Sequence, residues 1–239
     1  MKRFVILMLV LFLTSTVHAN IPKTNIGLDL VIAKQDLILE RDNKPGINFN
    51  DDLNVNRDTS LCEVYGSANS GNFSARGYYL FPKKLSGSGK LLPGQYDSPD
   101  PAKNKKEIAA TAENSFKASR LEIGVPISYR NLAIEPFFVN QWTTGNFQIK
   151  SDEFNYNKEL SCSNAGFGVF VTELFQDATL NLKWFKTSND SLFEAKYSGF
   201  NPSYFWSIGY TYRTFNLGYL EGKIQTSIKG PIFEAGVIF

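Results

Sequence analysis

Charged residues spaced two apart are the part of this sequence whose types and positions best suit chemistry. Arg120 and Glu122 flank one apolar residue, and Glu194 and Lys196 flank another. Side chains two apart on an extended strand point to the same side, so each pair can form an ion pair or an acid–base couple. The same reasoning over neighbouring segments predicts one network with charges of both signs: Arg76, Arg120, Glu122, Glu135, Lys183, Glu194, Lys196, Arg213 and Glu234.

Residues 1–19 carry the features of a secretory signal peptide. They begin with two basic residues, continue through the apolar run Phe4–Leu13 and end in a small-residue cleavage motif at Ala19. The apolar run is too short to span a bilayer as a helix. We therefore predict two parts, a signal peptide at 1–19 and a mature domain at 20–239 that is exported through the secretory pathway.

Removal of the signal peptide would leave a chain without the side chain most often used for general acid–base catalysis, histidine. The only histidine of the chain, His18, lies in this segment. A mature chain without imidazole lacks the usual general base at neutral pH, and no G-x-S-x-G nucleophile motif is present. A zinc site would need more cysteines or some histidine. We predict no catalytic residues, no metal and no cofactor, and hence a protein that is not an enzyme.

The charge balance bears on nucleic-acid binding, and the two cysteines bear on disulfide formation. Removal of Lys2 and Arg3 reduces the 25 Lys and Arg residues to 23, against 23 Asp and Glu. A mature chain near zero net charge has no overall attraction for nucleic acid, and none is predicted as a partner. Cys62 and Cys162 are the two cysteines. Export favours one disulfide between them, with two free thiols as the alternative.

A two-residue period in hydrophobicity runs through much of the mature domain. In the segment SRLEIGVPISY, Leu121 and Ile123 share one face, and Arg120 and Glu122 share the other. This period is typical of β-strands, and the two-residue step after Tyr129 predicts a tight hairpin. The expected strands are about 25–39, 61–67, 72–81, 119–129, 132–143, 162–174, 178–186, 192–199, 203–215 and 223–239.

Short turns alternate with longer polar connections along this strand order. The three longest connections are predicted at about Glu40–Ser60, Pro82–Lys117 and Thr144–Ser161. Such alternation is typical of a transmembrane barrel with brief periplasmic turns and extended external loops. We predict an all-β fold, a single antiparallel barrel of about ten strands, with eight or twelve as alternatives. The charged face would line its lumen, either as a plug of ion pairs or as the polar lining of a channel.

The last residues, FEAGVIF, predict how the barrel closes. Phe233, Ala235, Val237 and Phe239 share the apolar face, and Glu234 lies on the other. Lipid cannot satisfy an open strand edge, so the last strand is expected to pair with the first. Together with the signal peptide, the alternation and the loop pattern, this ending resembles bacterial outer-membrane β-barrel proteins, in particular small barrels similar to the OmpA transmembrane domain or OmpW.

The resemblance implies a place at the surface of a Gram-negative cell and a set of partners. These are outer-membrane lipid, lipopolysaccharide and the barrel-assembly machinery, which would recognise the C-terminal strand. Aromatic girdles are expected at both membrane interfaces. The residues predicted to face the membrane are Phe138, Trp142, Trp184, Trp206, Tyr210, Phe233 and Phe239.

The second external connection is rich in lysine. Net positive charge there can contact lipopolysaccharide phosphates or an acidic surface, and a solvated loop without a partner is the alternative. The lysines in question are Lys83, Lys84, Lys90, Lys103, Lys105 and Lys106.

Three functions remain open from the sequence. The leading one is a non-enzymatic outer-membrane barrel whose external loops contact the envelope or a host surface, with the ligand unspecified. The second is a narrow porin-like channel for small solutes. The third is a secreted, soluble barrel or sandwich that binds a ligand, in which the bulky face of each strand would form the core.

Overall fold

The computed structural model describes residues 23–42, 44–97, 105–175, 178–219 and 222–239, which form an all-β fold. The predicted signal peptide and Lys103 lie outside these residues. Among the described residues, no helix is long and apolar enough to span a membrane. The strands are β1 Lys23–Arg41, β2 Lys44–Asn48, β3 Asp58–Asn69, β4 Ser74–Leu91, β5 Ile108–Gly124, β6 Ile127–Tyr129, β7 Leu132–Lys150, β8 Asn155–Phe175, β9 Ala178–Thr187, β10 Ser191–Phe200, β11 Tyr204–Tyr219 and β12 Gly222–Ile238.

Ten of these strands form a closed antiparallel barrel, as predicted. Each pairs with its neighbours in chain order, and the ring closes where β12 pairs with β1, with Phe233 opposite Leu30. The two short strands lie outside the ring, β2 against β1 and β6 against β7. The predicted hairpin after Tyr129 is confirmed by the pairing of Tyr129 with Leu132. Closure leaves the ring without a first or last edge.

The alternation along each strand separates an apolar outer face from an inner face of mixed character. In β1, Ile32 points outward and is 52% exposed, whereas its neighbour Val31 points inward and is 1% exposed. Outward aliphatic and aromatic side chains recur on all sides of the ring, including Phe233 of β12. A soluble sandwich would bury these side chains against a second sheet, so that alternative is wrong.

Two of the predicted long loops are wrong, because the strands continue through them. The β4–β5 pairing extends to Leu91 opposite Ile108, and the β7–β8 pairing extends to Lys150 opposite Asn155. These extensions carry Ser, Thr, Asn and Gln on their outer face. Above the predicted membrane belt the outer face would meet water, so the apolar period fades while the backbone pairing persists. We call this end of the barrel the loop end, and the end with Lys23 and Phe239 the turn end.

The connection predicted as the first external loop folds inward instead. Residues 49–57, here called the plug loop, place Phe49, Leu53 and Val55 inside the barrel at no more than 2% exposure. These side chains pack with buried side chains from six strands of the ring in one apolar cluster. Asn50 fixes the loop, because its Oδ1 accepts the Leu37 N–H at 2.9 Å and its Nδ2 donates to the Val55 carbonyl at 3.1 Å. The plug loop therefore closes the loop end.

The plug loop packs directly against Gly89 of β4. A Cβ at this position would meet the backbone of Asp52 and Leu53. We predict that Gly89→Val displaces the plug loop and exposes Phe49 to chymotrypsin, read as a new fragment by mass spectrometry. Gly218→Val is the matched control, since a Cβ at Gly218 meets open space. A Gly89→Val protein as resistant as the control would show that the plug loop does not depend on this contact.

Candidate functional site

A layer of charged side chains crosses the lumen toward the turn end of the barrel. Period-two alternation places them all on the inner face. This charged layer, as the described residues show it, contains six carboxylates and five cations from nine strands. Its members are Asp29, Glu63, Arg76, Arg120, Glu122, Glu135, Lys183, Glu194, Lys196, Arg213 and Glu234.

Arg213 of β11 binds two carboxylates across the lumen. Its Nη1 and Nη2 donate to the two oxygens of Glu63 at 3.0 and 2.9 Å, and Nη2 also donates to Glu194 at 2.7 Å. All three residues are buried. A bidentate arginine–carboxylate contact is the strongest ion-pair geometry available, and burial makes each partner depend on the other.

Glu122 of β5 is the centre of a second group. Its oxygens lie 2.9 Å from Arg76 Nε, 2.9 Å from Arg120 Nε and 2.7 Å from Lys183 Nζ. Arg76 continues to Glu135 of β7 through Nη1 at 3.1 Å and Nη2 at 2.5 Å. A carboxylate with no exposed area is thus surrounded by three cations, which offsets the cost of its desolvation.

Lys196 of β10 joins the last two carboxylates of the layer. Its Nζ lies 3.3 Å from Asp29 and 3.1 Å from Glu234, which oppose each other on β1 and β12. The Tyr65 hydroxyl donates to Glu234. These contacts, with the two groups around Arg213 and Glu122, connect the ring internally from β1 round to β12.

Aromatic rings support the cations of the layer. The guanidinium of Arg120 lies 4.0 Å from the ring centre of Tyr78, and Lys183 Nζ lies 4.3 Å from the same centre. Lys183 also donates to the Tyr78 hydroxyl at 2.7 Å. Cations over a ring face gain electrostatic stabilisation without water.

Apolar side chains fill the lumen between the charged layer and the plug loop. Phe116 and Phe215 meet edge to face with ring centres 4.5 Å apart, within a cluster from six strands. A second cluster contains Phe137, Phe185 and Leu192. The lumen therefore holds three successive layers, one of paired charges, one of packed apolar groups and the plug cluster.

The structure places all nine residues of the predicted network inside the barrel and brings them together. Asp29 and Glu63 are the members that sequence reasoning missed. Asp29 lies between the outward Leu28 and Leu30, so the same alternation could have revealed it. Glu63 lies on β3, where the segment LCEVYGS does not show clearly which face is apolar.

The predicted membrane-facing aromatics lie on the outer surface. Trp142 is half-buried and the other six are exposed on the ring, with side chains that a bilayer would cover. These residues are Phe138, Trp142, Trp184, Trp206, Tyr210, Phe233 and Phe239.

The lysine-rich connection is mostly strand. Lys83, Lys84 and Lys90 lie on β4, where Lys84 pairs with Glu113 at 2.7 Å and Lys90 with Glu107 at 3.1 Å. Lys105 and Lys106 are exposed just before β5. The basic set is thus partly neutralised by neighbouring carboxylates.

The predicted disulfide is not formed, and both cysteines are free thiols. Cys62 follows the inward Leu61 on β3 and so points outward, whereas Cys162 of β8 packs against the plug cluster. Two side chains on opposite faces of a sheet cannot reach disulfide geometry without movement of the backbone.

A second polar site, missed from the sequence, holds the tip between β9 and β10. Asp190 is buried, and its Oδ2 accepts hydrogen bonds from Gln141 at 2.8 Å and Asn164 at 3.1 Å. Its Oδ1 accepts the Asn216 N–H at 3.2 Å. Because β9 and β10 end lower than β8 and β11, this cluster joins the two taller strands above them.

Comparisons with solved structures return bacterial outer-membrane barrels. OmpT, the outer membrane protease of Escherichia coli, is 7% identical over 95% of this chain and 100% of its own, with a TM-score of 0.55. Ail of Yersinia pestis is 8% identical over 91% of this chain and 99% of its own, with a TM-score of 0.42. Neisserial surface protein A is 8% identical over 90% of this chain and 97% of its own, with a TM-score of 0.40. No family model matches the sequence, and no curated protein matches it.

The closed ten-stranded ring and the similarity to OmpT define the class of fold, which is that of a bacterial outer-membrane β-barrel. The similarity to OmpT shows the fold alone, since so low an identity carries no activity with it. In this class the turn end faces the periplasm and the loop end faces the cell exterior.

Arg213 tests how far the barrel depends on its charged layer. We predict that Arg213→Met lowers the free energy of unfolding by about 3–5 kcal/mol, because Glu63 and Glu194 then lose a buried cation. The measurement is a urea titration of the barrel folded in lipid vesicles. Lys223→Met removes the exposed ion pair with Glu40 and should cost at most about 1 kcal/mol. Equal effects of the two variants would contradict a structural role for the layer.

Asp190 gives a pH-dependent prediction. Burial raises the pKa of its carboxyl above the usual value, and the hydrogen bonds from Asn216, Asn164 and Gln141 offset this only in part. The folded state thus favours the protonated form, so the stability that Asp190 contributes is present below the usual Asp pKa. This stability is lost as the pH rises through the folded-state pKa.

We therefore predict that the unfolding midpoint of Asp190→Asn, relative to wild type, increases as the pH rises from about 4. Urea titrations in vesicles over a pH series measure it. Asp152→Asn, which removes a charge from an exposed position at the rim, is the control. A difference between Asp190→Asn and wild type that stays constant with pH would refute the interpretation.

Proposed function

We propose that this protein is a closed, non-conducting barrel that acts through its outer and cell-surface faces rather than through a pore. The observation that carries the proposal is the filled lumen, in which the charged layer, the apolar layer and the plug cluster follow one another. Their central side chains, such as Glu122, Ile228 and Phe49, have no exposed area. An ion crossing the barrel would have to break paired charges and then enter an apolar layer, and both steps are costly.

The same packing supports a non-enzymatic role. The charges of the lumen form ion pairs with one another, so Arg213, Glu122 and Lys196 are engaged as structural partners. Residues 20–239 also contain no histidine, the usual base near neutral pH.

The proposed partners are components of the outer membrane that contact the outside of the barrel. Lipopolysaccharide would surround the outer leaflet side of the barrel, and the barrel-assembly machinery would receive the C-terminal strand. That strand is suited to this step, because the Phe239 N–H donates to the Thr24 carbonyl at 2.8 Å and completes the closure with β1. The loop end, which extends well above the apolar belt, is the proposed place of contact with an envelope or host component.

A closed barrel and a narrow solute channel predict opposite results for ion conductance. Purified wild-type protein in a planar bilayer should give no discrete conductance steps, whereas a porin inserted under the same conditions should give them. Stable steps from the wild-type protein that disappear in an Arg120→Met, Glu135→Gln variant would establish the channel and overturn the proposal.

A further inference from the structure

The upper outer wall of the barrel has a polar groove that the closed lumen does not explain. The wall is built by β4, β5 and β7, and strand register aligns its outward side chains in rows. Ser86, Glu113 and Gln148 form one row, and Ser88, Thr111 and Lys150 form the next. A hollow of about 480 Å³ lies over both rows. It continues at Ser88, Thr111 and Lys150 into a hollow of about 980 Å³ that reaches the plug loop at the rim.

The inner face explains why this wall is concave. Gly87 and Gly89 of β4 and Ala110 and Ala112 of β5 point inward, and the backbone of the plug loop packs directly on the two glycines. Such small side chains allow the sheet to lie close to the plug loop. The plug loop therefore lies directly behind the rows that line the groove.

The height of the groove above the apolar belt indicates which part of a membrane lipid can reach it. Trp142, on the outer face of β7, lies at the upper limit of the apolar belt, and Gln148 is six residues further along the strand. With a rise of about 3.4 Å per residue and a tilt of about 40°, the groove lies roughly 15 Å above that limit. The polar interface of a bilayer is only about 5–8 Å thick on each side. Ordinary lipid phosphates thus lie below the groove, and only an extended headgroup reaches it.

The side chains of the groove match a saccharide. Hydroxyl and amide groups of Ser86, Thr111 and Gln148 can each donate and accept hydrogen bonds, as sugar hydroxyls require. The charge of Glu113 is offset by Lys84 at 2.7 Å, which leaves Lys150 as the cation of the two rows.

We propose that this groove binds the core oligosaccharide of the outer-leaflet glycolipid, lipopolysaccharide. The proposal rests on the outer-membrane location and not on the closure of the lumen, so conductance results leave it intact. It assigns the sugars, rather than the lipid A phosphates, to Thr111, Gln148 and Ser88.

The test is calorimetric titration of the full mature barrel in detergent with three probes: core oligosaccharide released from lipopolysaccharide, lipid A without core sugars, and inorganic phosphate. Wild type should bind the oligosaccharide. Thr111→Val and Gln148→Leu should each weaken that binding about three- to tenfold, the effect of one lost hydrogen bond. Ser88→Trp, which fills the groove, should abolish it.

Thr214→Val on the far wall is the matched control and should bind as wild type does, since Thr214 lies on the outer face of β11. All the substituted positions face outward, so the variants should keep the heat-modifiable gel migration of a folded barrel. Absence of oligosaccharide binding, equal or tighter binding of lipid A alone or of phosphate, or variants indistinguishable from Thr214→Val would each overturn the proposal.

Discussion

Hydrocarbon offers no hydrogen bond to a strand edge, and the rest of this structure depends on that constraint. Ten strands must close on themselves, and they do so where Leu30 meets Phe233 between β1 and β12. Closure gives every membrane strand one lipid face and one lumen face. The outer face is apolar because lipid surrounds it. The charged side chains that alternate with it, such as Asp29 beside Leu28, must therefore find their partners within the lumen.

The interior then follows from the cost of burying charge. Each cation of the charged layer contacts a carboxylate on another strand, as Arg213 contacts Glu63, so the ion pairs connect distant parts of the ring. Such pairs add little net stability over well-packed apolar groups, but the loss of one partner is expensive, which makes them specific for a single register. Above them, Phe116 and Phe215 and then the plug loop remove the remaining space. Paired charges fill the lumen toward the turn end, and apolar side chains fill it toward the loop end.

The sequence predicts this fold well where lipid imposes a period of two, and poorly where it does not. Ten strands, the closure by β12 and the inward position of Arg120 and Glu122 all follow from alternation. The same signal is lost above Trp142, where water bathes the outer wall, and the extended hairpins of β4–β5 and β7–β8 then look like loops. Contacts between segments distant in the chain, such as the hydrogen bonds to Asp190 or the inward fold of the plug loop, have no local period from which to be predicted.

The unequal height of the wall determines where such a barrel can act. On one side β9 and β10 end near Thr187 and Ser191, close to the top of the apolar belt, so that side presents lipid-facing groups such as Trp184. On the other side β4 to β8 rise several rows higher with a polar outer surface. The proposed closed lumen would offer solutes no path, and a wall of lipid-facing groups offers only lipid contact. Under that proposal, recognition of a polar partner would be confined to the tall wall and the rim above the plug loop, where side chains can exchange water for a ligand.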